Sequence, residues 1–203
     1  MRNSPASKRI LFQIIAGVFA VALPGSSVLA DELIFNIGGG PQVGSDVSGS
    51  GSRQTNYTIG VDYDFYRFQR SERSSFVIGA SYTYIGSNAD THDRIHALSV
   101  YPQLSMYPSV ESWVNRLVPG NGEPFFYVRA LGPSYISDNQ LGSRRQAKHF
   151  AFQAQIGVGA SFRLKSDQQV NVSIAWKHFS NANLFKDNDG IDLPVVLTFG
   201  VTF

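Results

Sequence analysis

His178 and Ser180 stand two residues apart at the end of an alternating segment, in a chain of 203 residues. On an extended strand, residues i and i+2 share a face, so an imidazole can reach the hydroxyl with suitable rotamers. Such a pair has a definite chemistry. The histidine takes the serine proton as the oxygen attacks an ester carbonyl, and a covalent acyl intermediate forms. Two polar residues at a membrane–water boundary would give the same letters without any chemistry, so the pair has to be read with the elements that hold it.

Val170, Val172, Ile174 and Trp176 lie on one face of that segment, and Asn171, Ser173, Ala175 and Lys177 on the other. Continuing by twos puts His178 and Ser180 on the oily face. Eight segments of this period can be read, near 32–39, 55–68, 74–86, 94–108, 124–137, 148–163, 168–180 and 191–203. The sixth is the clearest, with Phe150, Phe152, Ala154, Ile156, Val158, Ala160 and Phe162 facing one way and Gln153, Gln155, Gly157 and Gly159 the other. The second repeats it, with Tyr57, Ile59, Val61, Tyr63 and Phe65 set against Thr58, Gly60, Asp62, Asp64 and Tyr66.

Alternation fits either a soluble sandwich, with the oily face inward, or a membrane barrel, with that face toward lipid. Three features point to the barrel. Arg2, Lys8 and Arg9, the apolar run Ile10 to Leu23 and the ending Val28-Leu29-Ala30 read as an export signal over residues 1–30, cleaved to leave a barrel over 31–203. The apolar run is also shorter than the roughly 20 residues a spanning helix needs. Eight is a common strand number for small bacterial outer-membrane barrels, and many segments reach the roughly 9 to 11 residues of a tilted crossing. The last strand carries Ile191, Leu193, Val195, Leu197, Phe199, Val201 and Phe203 on one face, and a final phenylalanine resembles the assembly signal of outer-membrane proteins. The expected fold is therefore all-β, an eight-stranded antiparallel transmembrane β-barrel of the bacterial outer membrane.

The composition agrees. With no cysteine, a disulfide framework or thiolate metal site is excluded. Lys and Arg number 17 against 15 Asp and Glu, and three of the basic residues belong to the signal, so no nucleic-acid footprint remains. The connections near 40–54, 87–93, 138–147 and 181–190 are expected outside the cell, and those near 69–73, 109–123 and 164–167 in the periplasm. Within them, Gly44 to Ser52 reads as a flexible outer loop and Ser109 to Leu117 as one or two amphipathic helical turns. Asp62, Asp64, Tyr66, Tyr127 and Arg129 are expected to fill a lumen too narrow for a channel. His92, His96 and His149 show no metal-ligand spacing.

His178-Phe179-Ser180-Asn181-Ala182, followed by Asn188-Asp189-Gly190-Ile191-Asp192 and a strand that ends the chain, closely resembles the PagL family of outer-membrane lipid A 3-O-deacylases. The likeness is specific from the seventh strand onward and pattern-level before it. It implies a serine esterase that removes the 3-O-linked acyl chain of lipid A without a metal or cofactor. Carried over by position, Ser180 is the nucleophile, His178 the general base, and Asn181 the residue that helps hold the oxyanion. The family's glutamate is replaced by Asp192, which keeps the charge that orients an imidazolium but loses one methylene of reach.

Parity raises a difficulty, since Asp192 alternates with Ile191 and Leu193 and would point inward in an ideal strand. A bulge near the turn, or a strand that starts only after Asp192, would re-aim it, and Pro194 favours irregularity there because proline cannot donate to the ladder. Asp187 and Asp189 are the alternative acids, although loop solvation and turn formation account for both. Arg144, Arg145 and Lys148 could pair with lipid A phosphates. The implied partners are lipid A or lipopolysaccharide and outer-membrane lipids, with a homodimer left open. Two other classes compete: a non-enzymatic barrel for adhesion or surface protection, and a periplasmic sandwich that binds an apolar ligand.

Overall fold

A computed structural model describes residues 27–28, 32–43, 54–71, 73–108, 122–166 and 168–203. Eight long strands form where the sequence alternates: β1 Glu32–Pro41, β2 Thr55–Ser71, β3 Ser74–Ser87, β4 Arg94–Met106, β5 Glu123–Ile136, β6 Phe150–Arg163, β7 Gln169–Ser180 and β8 Ile191–Thr202. Each pairs antiparallel with its sequence neighbour, and β8 pairs back onto β1, with Phe199 opposite Phe35, so the sheet closes on itself. Closure leaves no strand edge along the wall. Ser27–Val28 adds a two-residue pairing to Arg67 and Phe68 at the lower end of β2.

Burial settles which face is oily and where it points. Asn36, Asp62, Asp64, Thr83, Arg129, Gln155 and Lys177 are buried, whereas Phe35, Ile37, Ile59, Leu98, Val158 and Leu197 are each more than half exposed. A water-soluble sandwich would show the reverse, since an apolar wall in water forfeits the burial that holds such a fold together. Several of the polar residues inside are bonded to one another. Arg129 is ion-paired with Asp62, donates from Nε to Gln103 Oε1 at 2.7 Å, and lies 3.8 Å from the centre of the Tyr101 ring; Tyr101 in turn donates to Asp64 at 2.6 Å. The sandwich reading is thereby overturned.

Four of the five residues expected in the lumen are there. Tyr66 is not: a register shift between Asp64 and Tyr66 inserts an extra residue at Phe65, and the Tyr66 ring meets Phe68 with centroids 4.3 Å apart, in line with Phe76. The bulge reverses the alternation that the sequence alone would carry on.

Toward the end of the barrel away from the chain termini the interior turns apolar. Ile85, Ile95, Ala97, Ile136, Leu141, Ala151, Phe179, Ile191, Leu193 and Val196 form one buried cluster. Above it the third outer connection folds back as a small ribbon, Gln140–Leu141 against Arg144–Arg145, and touches the fourth through a bridge from Gln146 to Asn188. The stretch Gly44 to Ser52, the segment Ser109 to Leu117 expected to form helical turns, and most of the segment read as an export signal lie outside the described residues.

Candidate active site

β7 delivers His178 and Ser180 to the outer face at its loop end. Lys177 and Phe179, between and beside them, are buried inside, as the two-residue period requires. The indole of Trp176, two residues earlier on the same face, stacks on the imidazole with centroids 5.3 Å apart. That contact restricts how the ring can turn.

β8 brings the acid, and it does so through an irregularity. Ala175 lies opposite Val196, yet Lys177 lies opposite Leu193, so β8 uses one residue more than β7 across this step. The extra residue falls at Pro194, whose ring nitrogen has no hydrogen to give a ladder. Val196, Leu193 and Ile191 all enter the interior cluster, and Asp192 is turned to the face of His178, its direct strand partner. His178 Nδ1 and Asp192 Oδ1 are 2.8 Å apart. With Nδ1 held by the carboxylate, Nε2 is the nitrogen left for Ser180. Among the described residues no hydrogen bond to Ser180 Oγ is formed; catalytic contacts of this sort often close only in the substrate complex.

Gly190 gives the ring its room. A Cβ there would sit 2.4 Å from His178 Cε1, so the glycine in the Asn-Asp-Gly turn is required by the imidazole behind it. The chain reverses after Ser180 with Ala182 and Asn183 both at positive φ, a conformation non-glycine residues adopt only under constraint. Asn181 supplies that constraint: its backbone N–H donates to Asn188 Oδ1 at 2.7 Å, and its Nδ2 donates to the Asp187 carbonyl at 3.0 Å. One Nδ2 hydrogen is left as a donor. Neither alternative acid reaches the imidazole: Asp189 accepts the Arg145 backbone N–H at 3.1 Å, and Asp187 is exposed.

The second oxygen of Asp192 is held by residues the sequence had not singled out. Gln42 donates from Nε2 to Asp192 Oδ2 at 2.5 Å and accepts the Asp192 backbone N–H at 3.0 Å, and Asn56 Nδ2 donates to Gln42 Oε1 at 2.7 Å. Both lie far from the motif in the chain, at the ends of the first outer connection, where no periodicity marks them.

Apolar rings border the site on the β6 side. Ser180 pairs with Phe152, and Phe150 meets both Phe152 and Phe185 edge-on. The three basic residues expected to face phosphate do not act alike. Arg144 is buried, with Nη2 donating to the Val43 carbonyl at 3.1 Å, so it pins the loop rather than facing lipid. Arg145 is exposed, and Lys148 is exposed with Nζ 4.7 Å from the centre of the Phe185 ring.

The profile of the lipid A 3-O-deacylase (PagL) family matches residues 55–201. Among solved structures, that of the outer membrane enzyme PagL has 19% sequence identity and a TM-score of 0.53, covering 83% of this chain and 97% of that one. Neisserial surface protein A shows 13% identity and a TM-score of 0.49, with coverage of 88% and 99%. The outer membrane protein OprG from Pseudomonas aeruginosa shows 14% identity and a TM-score of 0.41, with coverage of 88% and 98%. No curated protein sequence matches the chain. Likeness to the PagL structure at this identity speaks for the barrel alone, but the profile spans most of the chain and takes in His178, Ser180 and Asp192. The chain belongs to the lipid A 3-O-deacylase (PagL) family of hydrolases.

Proposed function

We propose that this protein hydrolyses the 3-O-linked acyl ester of lipid A in the outer leaflet of the bacterial outer membrane with a serine–histidine–aspartate site set on the lipid side of its wall. The observation that carries the proposal is the 2.8 Å contact between His178 and Asp192 on the outer face, two residues from Ser180. A site that faces lipid suits a substrate that is itself a membrane lipid, whose ester bonds lie near the headgroup boundary where β7 ends.

The chemistry runs as acyl transfer in two halves. His178 Nε2 takes the proton from Ser180 Oγ as that oxygen attacks the ester carbonyl carbon, while Asp192 holds Nδ1–H and offsets the positive charge forming on the ring. The tetrahedral oxyanion collapses, the sugar oxygen leaves with the proton from Nε2, and the acyl group stays on Ser180. Water then attacks the acyl-serine with the same base, and the fatty acid and free serine result. The resemblance gives the oxyanion to Asn181, which is fully buried and spends one Nδ2 hydrogen on the Asp187 carbonyl; its second hydrogen, if turned to the ester, would be a donor worth about 3 kcal/mol in the transition state. Arg145 and Lys148 are exposed cations, Lys148 lying beside the Phe185 ring, and suit the phosphates of the same substrate.

The test is deacylation of purified lipid A in mixed micelles, followed by mass spectrometry of the product. Ser180→Ala and His178→Ala should each lower kcat at least about 10³-fold and in combination should be no worse than either alone, because members of one catalytic unit fail together. Folding is checked by heat-modifiable gel mobility. A folded Ser180→Ala barrel that retains most of its activity removes the mechanism.

A further inference from the structure

We infer that Gln42 is a positioning residue for the reaction: it fixes the carboxylate of Asp192 in the plane that serves His178, and Asn56 fixes Gln42. The inference rests on the serine–histidine–aspartate reading of the site.

Two bonds join Gln42 to one residue. Nε2 donates to Asp192 Oδ2 at 2.5 Å, and Oε1 accepts the Asp192 backbone N–H at 3.0 Å. Gripped at side chain and backbone together, Asp192 cannot rotate about its Cα–Cβ bond without breaking the first contact. The oxygen taken by Gln42 is the one His178 does not use, so the clamp leaves Oδ1 aimed at Nδ1. Need for such a clamp follows from the short side chain: an aspartate opposite histidine has one methylene fewer with which to search for the ring, and catalytic groups must be held close to their working geometry.

The orientation of the Gln42 amide is itself determined. Oε1 receives both the Asp192 N–H and Asn56 Nδ2, and Nε2 faces the Gly190 carbonyl at 3.0 Å and the Val43 carbonyl at 3.1 Å. A flipped amide would set oxygen against three oxygens. Asn56 also donates to the Asp192 carbonyl at 3.0 Å, and Gln54 holds Asn56 Oδ1 at 2.8 Å while accepting from the backbone and hydroxyl of Ser143. Gln42 is 1% exposed and Asn56 fully buried, so water does not compete for these bonds.

The test is a double-mutant cycle on the full-length protein in lipid A mixed micelles. Gln42→Met keeps the length of the side chain and removes both bonds; kcat should fall about 10- to 100-fold with KM little changed, the size of loss expected when a reacting group is misplaced by about 1 Å. Asp192→Asn should be slower still, and adding Gln42→Met to it should lower kcat no more than about twofold further, since nothing remains to be positioned. Full activity of Gln42→Met beside a slow Asp192→Asn overturns the inference and leaves the catalytic reading standing, as does an additive loss in the double variant. Full activity of Asp192→Asn overturns both. If Gln42→Met fails to form a heat-modifiable barrel, Gln42→Glu keeps the volume and turns the donor into an acceptor facing Asp192. It should lose kcat at neutral pH and regain part of it relative to the parent as the pH falls and the introduced carboxylate takes up a proton; unchanged kcat there also overturns the inference.

Discussion

Asp192, which the resemblance sets in the place of a family glutamate, reaches the imidazole despite its short side chain: its backbone is the direct strand partner of His178, and its two oxygens are taken by His178 at 2.8 Å and Gln42 at 2.5 Å. The gap is already filled at both ends. Asp192→Asn should therefore cut kcat about 10³- to 10⁴-fold by presenting the wrong tautomer to Ser180, with little change in resistance to urea. Asp192→Glu, which would restore the methylene of reach, is nevertheless expected to be slower, because the added methylene must displace Gln42. Rates normalised to folded barrel decide between these outcomes. Gly190→Ala belongs with them: its Cβ would press on His178 Cε1, and a loss of at least about tenfold in kcat from a normally assembled barrel is the expected reading.

At the scale of the strand, the extra residue in β8 decides which way the acid points. Pairing on either side of the step is regular, with Ala175 opposite Val196 and Lys177 opposite Leu193. Removing Pro194 should thus leave Asp192 opposite His178 and merely straighten the strand, so that the deletion variant keeps deacylation within about tenfold of the parent. Pro194→Val retains the count but supplies an N–H to the ladder. That change lets β8 slip toward the unbroken alternation in which Asp192 turns inward, and a larger loss than the deletion is expected. Deacylation by the two variants, each checked for barrel formation, tests the order; a dead deletion beside an active Pro194→Val would show that the bulge does more than set parity.

The molecule as a whole is apolar outside and charged within, and its stability should respond accordingly. Arg129 is buried against Asp62, Gln103 and the Tyr101 ring, deep in the lumen and on strands that carry none of the proposed triad. Arg129→Ala would leave Asp62 as a buried carboxylate without its partner, a change that ordinarily destabilises by about 3 to 5 kcal/mol. Urea unfolding in detergent should show a loss of that order, while kcat per folded molecule stays near the parental value. A parallel fall in kcat would mean that the lumen network reaches the site. Apolar residues such as Phe35, Ile59 and Leu197 on the outside also require that the folded protein depend on detergent or lipid for solubility.

Period-two alternation was enough to place all eight strands, because a wall with oil on one side and a packed polar lumen on the other imposes the same pattern on every crossing. The family likeness was equally local, carried by His178, Ser180 and the Asn-Asp-Gly turn on adjoining strands. Parity failed where the backbone departs from an ideal strand: Tyr66 left the lumen at the Phe65 bulge, and Asp192 reached His178 only because β8 takes an extra residue at Pro194. Arg144, read as a cation for phosphate, proved to be a buried loop pin, and Gln42 and Asn56 went unnoticed although they hold the acid. Nothing in a single sequence marks such residues. Their roles come from contacts between segments as far apart as Gln42 and Asp192, which barrel closure, bringing β8 back beside β1, alone places together.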